Sequence, residues 1–333
     1  LAKRGWNPME EAARYRFHNK PLVISETDYP YPQLFAAEMM PLFATVFCRQ
    51  DWDALHLFIH GRVPGNRGTE GVNHMFDQTN HPGKIGFFPA AALIYRTGMV
   101  PVAPRTALLR LPRNVWKKLH SYESAWNKAG CPRDPLQVRT MVVPDALPEH
   151  SVPEAVESGA AEAKPPVRAV EADGRYLFTV ETPGCGIAAG LLGGKPVEHG
   201  SLKVALEPFG KGAAANFAAA VAVARDGKPL RESGSILLTL GSSFLNHDVE
   251  MNGKGDSITA LRTPGAKWWG TPPVTGVRLK GWVAVPCPPE MRIWRLDSSG
   301  RRVAELRGER DGEFTRVPIS PEDETIFYEL ALR

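Results

Sequence analysis

Long apolar runs are missing from this 333-residue sequence: no window approaches 18 consecutive apolar residues, the length of about 18 that a membrane-spanning helix needs. Blocks of like charge are missing too. The net charge of +4 comes from 40 basic and 36 acidic residues spread along the chain, without the basic arm that would point to nucleic acid. Cysteine is sparse. Cys48, Cys131, Cys185 and Cys287 stand singly, without CxxC spacing, so neither a zinc site nor a disulfide framework is expected. There is no fixed-period repeat of the kind that builds propellers. The opening LAKRGWNPMEEAARYRF has no signal-peptide apolar core and no initiating Met, so the chain is expected to be the C-terminal part of something longer.

What is present is an ordinary globular balance, 43% hydrophobic and 23% charged, long enough for two or three units. Residues 1–112 alternate helical and strand-like segments. MEEAARYRF after Pro8 has helical composition, and PLVIS reads as a parallel strand covered on both faces. Leu34, Phe35, Met39, Leu42, Phe43, Val46 and Phe47 recur near helical spacing, although Pro41 must bend that helix or restart it. ALHLFIH, 54–60, is a second strand, and GKIGFFPAAALIYRTG a second apolar helix ending at Gly98. This order is the grammar of a parallel α/β fold. Residues 113–165 offer a short helix in RNVWKKLHSYESAWNKAG, then a Pro/Ala/Glu-rich stretch too poor in apolar residues for a core, expected as an exposed linker. Residues 166–333 read as all-β: strand-length runs separated by Asp-Gly, Ser-Gly and Pro-Gly turns, with VARDGKPL and RLDSSGRRV as hairpins, favouring one or two β-sandwich domains.

The carboxylate at the end of PLVISE draws attention. In a closed β/α barrel, catalytic side chains project from the carboxyl ends of the parallel strands, and Glu26 stands at such an end. On position alone it could be merely the first polar residue after a strand. Tyr29 and Tyr31 follow, and Trp52 precedes the next strand; flat amphipathic rings of this kind stack on sugars when they are not packing residues.

KPLVISETDYPYP, AAEMMPLFATVFCRQDWDALHLFIHG and FDQTNHPGKIGFFPAAALIYRTGMVPVA together resemble the last two β/α units of a clan A glycoside hydrolase barrel, most similar to multidomain bacterial enzymes with cellulase-like or β-galactosidase-like TIM barrels followed by β-domains. FTVETPGCGIAAGLLGG and GKPLRESGSILLTL resemble the β-domain of that group. The resemblance implies an incomplete TIM barrel followed by β-sandwich domains, no cofactor, and a retaining mechanism on a β-linked glycan with Glu26 as nucleophile. It also implies an acid/base Glu on an earlier strand, missing here, so that the chain alone is expected to be inactive. Its partners would be the carbohydrate substrate and the N-terminal barrel units of the same polypeptide, with no nucleic acid and no membrane. Such an enzyme would be secreted or periplasmic, although the segment that would show export is not in the sequence.

Other residues carry alternative readings. Asp28 could bond a sugar hydroxyl or cap the backbone of its own turn. Asp51 and Asp53, flanking Trp52, read as loop caps. His60, ending the second strand, is a candidate substrate contact, where the clan more often has an aromatic residue. His74, Asp77 and His81 fall in one loop without ligand-grade spacing, so no metal is expected. A second function class stays open, a non-catalytic carbohydrate-binding or structural β-module carrying a barrel remnant. In that case Trp268, Trp269, Trp282 and Trp294 could form a sugar platform, although Trp282 and Trp294 sit in apolar runs that suit a sandwich core.

Overall fold

The structure is a computed structural model that describes residues 8–60, 71–113, 115, 119–132, 134–172, 175–198, 200–209, 216–249 and 269–332. It is mostly β, 41% strand against 14% helix, and every helix among the described residues lies before Gly130. None of these helices is long and apolar enough to cross a membrane.

α1 (Pro8–Ala13) turns Met9 and Ala13 into the core. β1 (Val23–Thr27) and β2 (Ala54–Leu57) run parallel, with Val23 opposite Ala54 and Ile24 opposite Leu55. The connection between them is a single 3-10 turn at Ala36–Glu38 followed by α2 (Met39–Gln50), buried along its whole length. Pro41 lies in the first turn of α2, so the helix restarts there. A first turn leaves its N–H groups unpaired, and the missing one costs nothing. The second apolar stretch is two helices, α3 (Pro82–Ile85) and α4 (Phe88–Arg96). Pro89, which has no N–H to give back to Ile85, falls in the first turn of α4 and accounts for the break.

Two expectations are corrected here. PLVIS is not covered on both faces: Val23 is 49% exposed and Ser25 and Glu26 face solvent, because β2 is the only strand beside β1 among the described residues. Nor is the Pro/Ala/Glu-rich stretch of 143–167 only a linker, although the short helix expected before it is present. β3 (Arg105–Pro112), α5 (Leu119–Ala129), β4 (Val138–Leu147) and β5 (Glu154–Ser158) form a three-stranded sheet, β4 parallel and β5 antiparallel to the central β3. Trp126 packs with Leu109, Val138 and Val142 in its small core. β5 needs little apolar content because backbone bonds and the ion pairs Arg105–Glu157 and Arg110–Glu154 hold it at the surface.

The rest is β: β6 (Val167–Ala172), β7 (Arg175–Glu181), β8 (Cys185–Leu191), β9 (Lys203–Leu206), β10 (Phe217–Ala224), β11 (Ser235–Gly241), β12 (Phe244–His247), β13 (Thr271–Gly276), β14 (Gly281–Pro286), β15 (Arg292–Leu296), β16 (Arg302–Leu306), β17 (Glu309–Asp311), β18 (Phe314–Ile319) and β19 (Phe327–Ala331). Eight strands form one sheet in the order β16-β15-β19-β11-β10-β8-β7-β6, and four form another in the order β17-β18-β14-β9. The two sheets share a core that includes Ala220, Leu238, Val283, Val317 and Leu330, a sandwich in which each strand turns alternate residues inward.

The other face of the large sheet is covered as well. Phe178, Ile187, Val221 and Val223 lie in one cluster with Phe43, Phe47 and Ile94 of α2 and α4. This explains FAAAVAVA: β10 is buried on both faces, its alanines 218, 220, 222 and 224 toward the sandwich and Ala219, Val221 and Val223 toward the helices. The α/β part and the β part are thus joined through a continuous apolar interior. β12 and β13 form a separate two-stranded arm.

Candidate functional site

Glu26 is the fourth residue of β1, at its carboxyl end, and it is exposed. Its carboxylate makes no hydrogen bond or ion pair among the described residues. It lines a cavity of about 390 Å³, the size of small-ligand sites, together with Glu11, Tyr15, Asp28, Phe58 and Phe76. Phe58, just past β2, and Phe76 meet edge to face with centroids 5.4 Å apart. An acceptor-only carboxylate beside an aromatic wall can take a hydrogen bond from a ligand hydroxyl or attack an electrophilic carbon held in front of it.

Asp28 shares this wall, but its carboxyl is turned inward. Lys84 Nζ of α3 donates to Asp28 Oδ2 at 2.6 Å, with side chains 0% and 1% exposed, and Asp28 Oδ1 accepts the Tyr29 N–H at 2.7 Å. Burial pushes the Asp28 carboxyl up to about 6, against the opposing pull of the Lys84 cation. Burial in turn lowers Lys84, and Asp28 only partly offsets it. His81, at the amino end of α3, is fully buried, and neither ring nitrogen has a hydrogen-bond partner among the described residues. Burial, reinforced by the Lys84 charge, drops its imidazole to about 3, so it is neutral at physiological pH. Asp77 is also buried and bonds Thr79. Among the described residues no group of three His, Cys, Asp or Glu side chains is placed to hold a metal ion.

The aromatic residues singled out in the sequence lie elsewhere. Tyr29 packs edge-on against Phe43 beneath α2, and burial raises its phenol well above the ordinary value. Tyr31 is completely buried: its hydroxyl donates to the Trp269 carbonyl at 3.2 Å and accepts the Asn246 N–H at 2.9 Å. Trp52 is 3% exposed and stands against Phe47 with centroids 4.9 Å apart. Tyr31 and Trp52 present no free face to a sugar ring, and Tyr29 is half-buried. Of the predicted residues only Glu26 and Asp28 line the cavity; His60 is exposed at the end of a described segment.

Missing from the sequence reading were Tyr15, Phe58, Phe76 and Lys84. Lys84 had a signal: a lone cation inside an apolar helical run needs a buried counter-charge, and Asp28 supplies it.

The tryptophans of the β part are occupied. Arg316 lies over Trp282 at 4.6 Å, and Trp294 has Arg292 at 4.8 Å and Arg302 at 4.9 Å. Both are half-buried rather than core residues. The Trp269 indole donates to the Val72 carbonyl at 2.7 Å, while Trp268 lies outside the described residues. Comparison with protein-family models, with curated proteins and with solved structures finds no match.

Proposed function

We propose that the cavity at the carboxyl end of β1 belongs to a retaining glycoside hydrolase acting on a β-linked glycan, with Glu26 as nucleophile. In this reading β1, α2, β2, α3 and α4 are the last two units of a TIM barrel. The acid/base carboxyl is carried by another barrel strand, outside the strands described above. The observation that carries it is the exposed, unpartnered carboxylate of Glu26 ending a parallel strand beside the Phe58–Phe76 wall.

The chemistry follows from the residue type. The carboxylate attacks the anomeric carbon while the bond to the leaving oxygen breaks, and that oxygen takes the proton of a second carboxyl about 5–5.5 Å away. Water, deprotonated by the same second group, then displaces Glu26 from the glycosyl ester. Phe58 and Phe76 would carry the sugar face that Tyr31 and Trp52, buried as they are, leave unserved.

The test has two arms. The chain by itself should release no chromophore from aryl β-glycosides above the buffer rate. The same chain extended with the upstream β/α units of its own coding sequence should hydrolyse them, and Glu26→Gln should abolish that turnover. Hydrolysis by the extended protein that survives Glu26→Gln refutes the nucleophile assignment. Glycan binding without turnover in the extended protein favours the non-catalytic carbohydrate-binding module instead.

A further inference from the structure

We infer that the β12–β13 arm of the β part is a working support of the candidate cavity, with Asn246 as the positioning residue that sets the loop carrying Phe76. Asn246 grips Val72 from both sides: its Oδ1 accepts the Val72 N–H at 2.8 Å and its Nδ2 donates to the Val72 carbonyl at 2.9 Å, while also donating to the Trp269 carbonyl at 3.0 Å. A side-chain amide that pairs with one residue's N–H and C=O imitates a strand neighbour. The approach is close. A Cβ on Gly71 would lie 2.8 Å from Pro272 Cγ of β13 and 3.2 Å from Asn246 Oδ1.

From Val72 the restraint passes to the cavity through backbone bonds. The Met75 carbonyl accepts the Tyr31 N–H at 2.7 Å, and the Phe76 carbonyl accepts the Ile59 N–H at 2.8 Å. These bonds link the loop to the segments that follow β1 and β2, which bring Asp28 and Phe58 to the wall. The same arm holds the segment after β1 directly. Tyr31 bonds Asn246 and Trp269, its ring stands 5.0 Å from that of Trp269, and Ser243 Oγ donates to the Leu34 carbonyl at 2.8 Å. The β part, 174 to 238 residues further along the chain at these contacts, is therefore what fixes the spacing of the aromatic wall. Its effect on glycan affinity rests on the function proposed above.

Site-resolved amide hydrogen exchange on the chain tests this. In Asn246→Ala the amides of Val72, Tyr31 and Ile59 should exchange at least about tenfold faster, with Val221 and Leu238 of the sandwich unchanged. Asn246→Asp keeps an acceptor for the Val72 N–H and loses the two donations, so it should restore part of the protection. Trp269→Phe, which removes a single bond to Val72, should have a smaller effect and guards against a misfolded Asn246 variant. Acceleration confined to Val72, or spread equally through the sandwich, overturns the positioning role.

The affinity arm uses β-linked tetrasaccharides, cellotetraose among them. Asn246→Ala should weaken binding about tenfold, as Phe76→Ala should. Undiminished affinity in Asn246→Ala overturns the inference. Failure of the unsubstituted chain to bind any of them strikes the glycan reading alone, since the exchange result still decides the role of Asn246.

Discussion

Two buried groups behind the cavity should titrate with opposite effects on stability over the same pH range. Asp28 rises from an ordinary 3.8 to about 6 in the fold. Between those values the unfolded chain has lost the proton that the folded chain keeps, so stability falls as pH rises, by about 3 kcal/mol in all. His81 drops from an ordinary 6.5 to about 3. There the unfolded chain holds a proton that the fold excludes, so stability rises with pH, by about 5 kcal/mol over the whole window. From pH 4 to pH 6 Asp28 contributes about 2 kcal/mol and His81 about 2.5 kcal/mol with opposite sign, so the two nearly cancel. The unsubstituted protein should show little slope from this pair. His81→Leu should then lose about 2 kcal/mol between pH 4 and pH 6, and Asp28→Asn should gain about 2.5 kcal/mol. Urea unfolding at pH 4, 5 and 6, followed by tryptophan fluorescence, reads the slopes, and any fixed cost of either substitution drops out. Parallel curves for the two variants and the parent would refute the reasoning, because they would mean that neither group is desolvated as the structure places it.

Three more outcomes follow from the same packing. Lys84→Met leaves the Asp28 carboxylate buried without its cation and should cost about 3–5 kcal/mol at pH 7, whereas Lys84→Met combined with Asp28→Asn should cost clearly less, read by urea midpoints. Glu26→Gln, exposed and unbonded, should leave the unfolding free energy within about 0.5 kcal/mol of the parent. Leu238→Ala, in the centre of the sandwich core, should cost about 2–5 kcal/mol in the same assay.

Much of this fold was legible because apolar patterning and chain stops are local signals. The helix after residue 34, its restart at Pro41, the strand at 54 and the run of β segments from 175 onward all appear where periodicity and turn residues put them. The misreadings share a cause. PEAVES became a strand because β3 offered a partner and two arginines, and partners are not written in a segment's own composition. VARDGKPL does hold a turn, yet the strands on either side, β10 and β11, end at Ala224 and resume at Ser235. Asp226 organises the intervening loop, accepting bonds from Ser233 and from the Gly234 N–H at 2.8 Å each. At the site, the exposure of Glu26 agrees with its place at a strand end. Tyr31 and Trp52 are buried because amphipathic aromatics suit a cleft and a core equally well, and their partners, the distant Asn246 and Trp269 for Tyr31 and nearby Phe47 for Trp52, decide for the core.

The contrast between Glu26 and Asp28 has a physical logic. Residues two apart on a strand point to the same side, and two carboxylates on one side repel unless something neutralises one of them. Here β1 stops at Thr27, the chain turns, and Lys84 on α3 meets Asp28 in the interior at 2.6 Å. The cation removes the like-charge neighbour without approaching the cavity, and the strand end is left with one net negative charge, on the exposed Glu26. Burying that pair carries a desolvation cost that packed apolar residues would avoid, as the displaced titrations of both partners show. A cost of that kind at a strand end is better suited to setting charge than to holding the fold together.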